Sequence, residues 1–324
     1  QVKMTPALGA NLGGYPFQRR AESVRSDLYA RAMVLDDGRE KIALVATDLV
    51  ALTSAVVGPA KEQIETRCGI APSAVLVCAT HTHSAPKGGD TTPGRIAYEE
   101  KRTVGIVQAL SGAITSLQPA KVGFASDEES SEVCNRRWFM KPGTMEPNPF
   151  GEFDQVRTNG PRPNLLKPAG PIDPEVCVVD VRTRRGKPLG LIANYALHYV
   201  GGVPKVIEDD GKTVGMGSAD YFGQFARIMP YRIGGANPPD HFVAMMTNGA
   251  SGDINNIDFH SKRAPRAPFE QIQVVATKVA DAAWCAVKKI EEYDDDPLVA
   301  MCQREVTLKY RKPTEAEVKR AREM

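Results

Sequence analysis

Apolar runs of strand length alternate along the first part of the chain with segments of helical spacing. Lys41–Thr47 and Ala74–Thr80 are continuous apolar runs, which is the pattern of strands buried on both faces of a sheet. Ser54–Arg67, between them, predicts a helix. Mostly apolar side chains then recur every three or four positions, which predicts a helix over about 95–118 with one face packed on the sheet. These side chains are Thr103, Val107, Leu110, Ile114 and Leu117.

The second half of the chain repeats this alternation. Val176–Val181 and Leu189–Leu197 are predicted strands joined by a turn, and Phe242–Thr247 predicts a further strand. Apolar residues recur at helical spacing from Ile272 to Ile290, so we expect a long amphipathic helix there. Leu298–Tyr310 predicts one more strand. Strands that alternate with helices favour an α/β fold, in which mixed β-sheet layers are flanked by helices.

The segment Lys141–Pro174 differs from its surroundings. It contains eight prolines and several glycines and has little periodicity. Because it is too long for an ordinary connection, we interpret it either as a functional surface loop or as a mobile one. The pattern does not favour one of these over the other.

Composition narrows the class of protein. The 324 residues are 42% hydrophobic and 25% charged, close to globular averages, which excludes a disordered chain or a coiled coil. Asp48 interrupts the longest apolar run, so no segment approaches the roughly 20 residues of a membrane span. A formal net charge of +2 provides no broad basic field, and we expect no nucleic-acid partner.

The six cysteines are scattered and form neither a CxxC pair nor zinc-ribbon spacing. A chain of this length does not need a disulfide framework to hold its core together. Cys78 and Cys177 lie within apolar runs, so we expect both to be buried as small hydrophobic residues.

The two ends of the sequence suggest a longer polypeptide. The chain begins at Gln1 without a signal sequence, so we expect either that a leader has been removed or that the sequence starts inside a longer chain. Thr314 and Glu317 form a capping box. The helix that they begin runs to Met324 without a stop signal, which predicts a domain that is incomplete at its C-terminal end.

Polar residues with metal-binding or proton-transfer chemistry follow four of the predicted strands. Asp48 follows the first run, and the pair His81 and His83 follows the second. His198 and the segment Asn248–Asn256 follow two later strands. Three of these ends lead into glycine-rich turns, which include Gly88-Gly89 and Gly201-Gly202. Because ligands of open α/β sheets bind beyond the carboxyl ends of strands, these side chains predict a functional site.

The spacing of the histidines favours a metal ion. In extended backbone residues i and i+2 share a face, so His81 and His83 can meet one cation or one substrate. Catalytic zinc typically has three protein ligands and one open position, and His81, His83 and His198 can supply two or three nitrogens. Asp48 or Asp253 can then add an oxygen ligand, orient an imidazole or act as a general base.

Other polar residues have competing structural interpretations. His241 and His260 are single histidines, which we interpret as surface or structural residues. Asp253 suits a turn in its glycine-rich segment as well as it suits catalysis. Asn135-Arg136-Arg137 is either a site for an anionic or carbonyl group or a surface ion-pair cluster. The chain has no GxSxG elbow, P-loop or GxGxxG motif, which disfavours common serine hydrolases, NTPases and dinucleotide-binding proteins.

The order of several motifs resembles the catalytic N-terminal domain of the neutral/alkaline non-lysosomal ceramidase family, especially its bacterial branch. The resemblance covers nearly the whole chain, and its most specific part is the Thr80–Pro86 segment taken together with the later histidine and the Gly-Asp loop. The matching motifs are Thr5-Pro6, Gly14-Tyr15, Asp27–Ala32, Thr80–Pro86, Asn135-Arg136, Gly170–Glu175, Asn194–His198, Ser218–Tyr221 and Asn248–Asn255.

This resemblance implies a zinc-dependent amidase that hydrolyses an N-acyl bond. His81 and His198 would be zinc ligands, and His83 would lie beside the metal. The family completes its site with a Glu and a Tyr from downstream sequence, which this chain of 324 residues does not reach. Asn255 stands where characterised ceramidases carry a serine; an asparagine can donate to an oxyanion but cannot act as a nucleophile.

The remaining assignments complete the hypothesis. Asp253 joins His83 and Asn255 as a catalytic candidate, and substrate contacts are assigned to Asn135, Arg136, Ser251 and Asp220. We expect a small-molecule or lipid amide substrate, Zn²⁺ as the cofactor, peripheral contact with a membrane at most, and, from the family alone, a periplasmic or secreted location. The alternatives are a non-catalytic lipid- or glycan-binding relative and a hydrolase of a small polar amide or ester.

Overall fold

The computed structural model describes residues 1–15, 19–86, 93–148, 150–204, 206–207 and 213–323, with only the backbone described for 93–97, 206–207 and 213. The predicted glycine pair Gly88-Gly89 lies outside these residues. In chain order the strands are β1 (Val2–Lys3), β2 (Asn11–Leu12), β3 (Arg19–Val24), β4 (Tyr29–Asp36), β5 (Lys41–Thr47), β6 (Val75–Ala79), β7 (Ala120–Glu128), β8 (Cys134–Asn135), β9 (Arg137–Met140), β10 (Val156–Thr158), β11 (Leu165–Pro168), β12 (Glu175–Thr183), β13 (Pro188–Tyr195), β14 (Val206–Ile207), β15 (Thr213–Gly217), β16 (Val243–Asn248) and β17 (Ile254–Asn255).

The helices are α1 (Ser54–Cys68), α2 (Pro93–Thr115), α3 (Asp220–Gly234), α4 (Glu270–Lys288) and α5 (Glu315–Glu323). Three were predicted within a few residues of these bounds, and the capping box of α5 is confirmed, since the Thr314 N–H donates to the Glu317 carboxylate. In α1 the buried residues Val56, Ala60 and Ile64 are four positions apart, so one face of the helix packs inward. Among the described helices none combines the length and apolar character that a bilayer crossing requires.

Two four-stranded sheets form the centre of the molecule. The first sheet has the order β1-β4-β5-β6 and packs with α1 and α2 around one apolar core. The second sheet has the order β16-β13-β12-β7 and packs with α3 and α4 around another core. Each sheet combines parallel and antiparallel neighbours. The predicted α/β fold of mixed sheet layers flanked by helices is therefore confirmed.

The two sheets contact each other through β16, which lies against β4, β5 and β6. Gly190 on β13 is part of this contact, because a Cβ placed there would come within 2.8 Å of the Met33 side chain. A residue without a side chain thus lets the sheets approach closely. Since β5 and β6 are parallel in one sheet and β13 and β16 are parallel in the other, each sheet has a pair of strands that end on the same side.

The proline-rich segment 141–174 contains more regular structure than its sequence indicates. Within it β10 and β11 pair with β9 on both sides and form a three-stranded antiparallel sheet. Trp138, Met140 and Leu165 make up a small core of their own there. Short strands interrupted by prolines leave little periodicity in a sequence, so this satellite sheet was missed.

Two predictions about local structure are wrong. Leu298–Tyr310 contains no strand, and Val306, Leu308 and Tyr310 are 74–94% exposed. An alternating pattern forms a strand only where a neighbour accepts its backbone hydrogen bonds, and the described residues offer none. Cys177 is exposed, and Cys78 is only partly buried. On β12 side chains alternate between the core and solvent, and Val176 and Val178 occupy the core positions.

A buried ion pair fixes the end of β5. Asp48 directly follows this strand and is completely inaccessible to solvent. Both of its carboxylate oxygens accept hydrogen bonds from Arg31 Nη1 of β4, at 2.9 and 2.7 Å, and one also accepts from the Tyr29 N–H. Asp48 is therefore an internal anchor between two adjacent strands.

This ion pair gives a prediction about stability. Arg31→Ala should lower the free energy of unfolding by about 3–5 kcal/mol, because it leaves the Asp48 charge buried without its partner. Lys41→Ala removes a cation from the exposed Lys41–Asp36 pair and should cost less than about 1 kcal/mol. Urea denaturation of both variants measures the difference. A loss for Arg31→Ala no larger than that of Lys41→Ala would contradict this role of Asp48.

Candidate functional site

Three histidines meet where the two sheets converge. His81 and His83 follow β6, and His198 follows β13 by three residues. The ring centroids are 5.0 Å apart for His81 and His83, 4.7 Å for His81 and His198, and 4.9 Å for His83 and His198. The Nε2 atoms of His83 and His198 are 2.9 Å apart. The structure thus brings together the three histidines that the strand ends predicted.

Backbone carbonyls orient two of the three rings. His81 Nδ1 donates to the Val50 carbonyl at 2.7 Å, which leaves its Nε2 free for a ligand. The His198 ring makes a backbone hydrogen bond with Ser251. Metal-binding histidines usually donate their second ring N–H in this way. His83 differs, because its Nδ1 is buried and has no hydrogen-bond partner among the described residues.

Thr82 lies between two of the histidines and points into the protein interior. Its hydroxyl is in contact with the Ser218 carbonyl at 3.0 Å and with Asp220 Oδ2 at 2.8 Å. Asp220 begins α3, is 2% exposed, and has a φ of +47°. Burial raises the pKa of this carboxyl to about 6, against the effect of hydrogen bonds from Thr82 and its neighbours. Asp220, which was predicted to bind substrate, contacts the side chain of Thr82 between the two histidines.

Arg19, which the sequence reasoning missed, supports the same segment. Its Nη2 donates to the His83 carbonyl at 2.7 Å, and its guanidinium lies 4.0 Å from the centre of the Tyr15 ring. Tyr15 in turn meets the His83 ring edge-on at 5.7 Å. Arg19 and His83 are 64 positions apart, so no local pattern in the sequence connects them. The Gly14-Tyr15 motif of the family resemblance was the only available signal.

Burial keeps the His83 and His198 imidazoles neutral. It lowers the pKa of His83 to about 3, and the positive charges of Arg19 and Arg136 act in the same direction. Burial also lowers the pKa of His198 to about 4, with a further contribution from Arg136. Both rings are therefore uncharged at neutral pH, and a neutral imidazole is the form that binds a metal.

The three histidines suit a metal ion in number and chemistry. One ring nitrogen from each histidine lies within 4.8 Å of the others, so the three nitrogens surround one small space. Imidazole nitrogen is a preferred ligand of zinc and of other divalent transition metals. The carbonyl partners of His81 and His198 strengthen this fit. The cluster can thus hold a metal ion, and its chemistry does not select one metal.

The Gly-Asp loop lies beside His198 and is paired with the Asn135 segment. β17, which contains Asn255, pairs with β8, which contains Asn135. Arg136 donates to the Gly252 carbonyl through Nε and Nη2, at 3.0 and 2.6 Å. The Arg136 N–H also donates to the Asp253 carbonyl. This ladder joins the candidate substrate-binding residues Asn135, Arg136 and Ser251 in one layer.

Two side chains of this layer have partly structural roles. Asn255 is buried, and its Oδ1 accepts the Ile257 N–H at 2.9 Å, which fixes its amide and leaves Nδ2 as the donor group. Asp253 is partly exposed, and its Oδ2 lies 3.5 Å from Asn135 Nδ2. That distance is at the limit of a hydrogen bond, so the Asp253 carboxylate is only weakly held.

The other candidate residues lie outside the cluster. Asp48 was considered as an oxygen ligand or a general base; this is wrong, since Arg31 occupies both of its oxygens. Its strand end still supports the site, because the Leu49 carbonyl accepts the His81 N–H. His241 and His260 are exposed, and His260 stacks on Trp138, in agreement with the surface interpretation.

The fold and the three histidines define an α/β protein with a metal-capable histidine centre between two sheets. Its sequence matches no family model. The solved structure of neutral ceramidase from Pseudomonas aeruginosa is similar over 90% of this chain, with a TM-score of 0.67 and 18% sequence identity. A ceramidase complexed with C2 is similar over 90% as well, with a TM-score of 0.65 and 19% identity.

These similarities confirm the predicted ceramidase-like fold. This chain spans 44% and 43% of the length of the two matching chains, less than half in each case. At such low identity the likeness concerns the fold alone.

A pair of glycines tests the packing of His83. Gly14 and Gly9 have φ values of +82° and +84°, but only at Gly14 would a Cβ overlap the His83 ring. Alanine should cost about 1–2 kcal/mol of stability at either position because of the left-handed backbone. Gly14→Ala alone should also displace His83, visible as a shift of its imidazole signals in NMR spectra. Unchanged His83 signals in Gly14→Ala, or equal shifts in Gly9→Ala, would contradict this packing.

Proposed function

We propose that the chain is a zinc-dependent hydrolase that cleaves an N-acyl (amide) bond. The observation that carries this proposal is the cluster of three imidazoles whose ring centroids are 4.7–5.0 Å apart, with the His83 and His198 rings buried. The ceramidase-like fold supports the amide as the bond, since the similar solved structures are named ceramidases. This chain spans less than half of those proteins.

In this proposal His81 and His198 hold the zinc ion. Each ring has a backbone partner on its second side, Val50 for His81 and Ser251 for His198, which is the usual arrangement around a ligating histidine. Among the residues that the structure describes, His83 has no such partner for Nδ1. We therefore assign it to the substrate side of the centre, with its Nε2 directed towards the His198 ring at 2.9 Å.

The low pKa of His83 defines what it does there. A ring with a pKa of about 3 is a poor proton acceptor at neutral pH. As a neutral imidazole it still donates one hydrogen bond, so His83 orients the substrate carbonyl. We assign proton transfer to Asp253, because its carboxylate is held only by a long contact of 3.5 Å with the Asn135 amide.

The remaining residues bind and position the substrate. The Asn255 Nδ2 group is the donor to the carbonyl oxygen on which negative charge develops. The wall beside His198 is formed by Asn135, Arg136 and Ser251. Asp220 positions the histidine segment through its hydrogen bond with Thr82. A zinc ion bound here would polarise the carbonyl and lower the pKa of water. Hydrolysis adds the hydroxyl group of water to the acyl carbon, breaks the C–N bond and places a proton on the released amine.

The proposed substrate and location rest on the similarity to ceramidases. A lipid amide is proposed from the named function of the similar structures. The periplasmic or secreted location remains an expectation from the family resemblance.

Single-histidine variants separate ligands from substrate-side residues. His81→Ala and His198→Ala should each weaken zinc binding by more than about 100-fold, beyond the 10–100-fold typical of outer-shell residues. His83→Ala should keep zinc affinity within about tenfold and lose amide hydrolysis. Competition with a chromogenic chelator measures the affinity, and release of fatty acid from an N-acyl substrate measures the activity.

His260→Ala is the matched control, because it removes an exposed imidazole and should change neither quantity. Zinc affinity that survives both His81→Ala and His198→Ala would overturn the metal centre. Stoichiometric zinc without hydrolysis of any amide in the unmodified chain would overturn the enzyme and leave a metal-binding protein.

A further inference from the structure

A cavity of about 540 Å³ lies next to the histidine centre. One wall is the segment from Val200 to Pro204, which follows His198 directly, and another is Asn256–Asp258, which follows Asn255. Val200 is two positions from His198, so their Cα atoms are within roughly 7 Å.

The cavity is lined by more positive than negative charge. Arg162, Lys262, Arg263 and Arg266 line it, and the one carboxylate in the lining is Asp258. That carboxylate accepts the backbone N–H groups of His260 and Ser261 and is committed to a local turn. The lining thus has a formal excess of positive charge.

Three of these cations have no acidic partner within the described chain. Arg263 pairs with Glu132, whereas the Arg162 guanidinium donates to the carbonyls of Phe259 and Ser261. Arg266 contacts the neutral side chain of Gln271. A carbonyl or amide oxygen satisfies N–H groups without cancelling their charge, so the described lining of the cavity keeps an excess of positive charge.

The walls are held in place by a buried carboxylate. Glu132 is 1% exposed and accepts from Arg263, Gln271 and Lys278 at 2.7–3.0 Å. Asn256 also fixes the wall next to His198, because it accepts from the Val200 N–H at 2.8 Å and donates to the Val200 carbonyl at 3.0 Å. A cavity with anchored walls loses little entropy when a ligand binds.

We propose that this cavity binds an oxyanion, a carboxylate or a phosphate, on the amide substrate. Guanidinium groups match the two oxygens of such anions with paired N–H donors. The inference rests on the proposed function for its substrate: an N-acyl amide with an anionic group on the amine side or acyl side close to the scissile bond. A neutral amide lacks this contact, so the chain selects for anionic amides.

Binding of inorganic phosphate to the full chain tests the cavity independently of amide hydrolysis. Lys262→Gln combined with Arg266→Gln removes two exposed cations from the lining, and should weaken phosphate binding in calorimetry by about tenfold or more. Arg184→Gln combined with Arg185→Gln removes two exposed cations from the β12–β13 turn and should leave the affinity unchanged. Equal phosphate affinity in both double variants would overturn the proposal.

Hydrolysis of three amides by the zinc-loaded chain tests the preference for anionic substrates. The three share the same acyl chain and are an N-acylglycine, an N-acylphosphoethanolamine and the neutral N-acylethanolamine. Lys262→Gln/Arg266→Gln should lower kcat/KM about tenfold for an anionic amide through KM, and leave the neutral amide unchanged. The two anionic substrates distinguish carboxylate from phosphate. An equal loss for all three substrates would overturn the selectivity. Absence of hydrolysis for all three in the unmodified chain would overturn the proposed function, while the phosphate measurement still decides the cavity.

Discussion

The hydrogen bond between Thr82 and Asp220 joins the two halves of the fold at the point where the histidines meet. Thr82 belongs to the segment after β6 of the first sheet, and Asp220 begins α3, which packs on the second sheet. Ala219, one position earlier, packs instead into the core of the first sheet. The separation of His81 and His83 from His198 therefore depends on this junction, because His198 is carried by the second sheet.

Burial has two effects at this junction. It removes charge from the imidazoles, since it lowers the pKa of His83 and His198 far below neutral pH. It also excludes water from Arg19 and Asp220, whose hydrogen bonds then hold the histidine segment more firmly. Neutral rings on a fixed backbone are prepared to bind a cation without first releasing protons. The histidines thus favour a cation, whereas the positively charged cavity beyond Val200 favours a negative group in the substrate.

The sequence predicted the elements whose pattern is local. Continuous apolar runs located β5, β6 and β16 within one residue, and the positions after strands located all three histidines. Contacts across long separations could not be predicted, which explains why Arg19 was missed and why Asp48, paired with Arg31, was wrongly considered a ligand. The strand expected at Leu298–Tyr310 failed for a related reason, because an alternating pattern gives no information about whether a partner strand is present.

X-ray absorption at the zinc edge of the zinc-loaded chain tests the central claim, that these histidines hold the metal, most directly. Two or three imidazole nitrogens at about 2.0–2.1 Å, with the outer-ring scattering of histidine, are the predicted result. A shell of oxygen atoms alone, unchanged by His81→Ala and His198→Ala, would place the metal elsewhere and contradict the account.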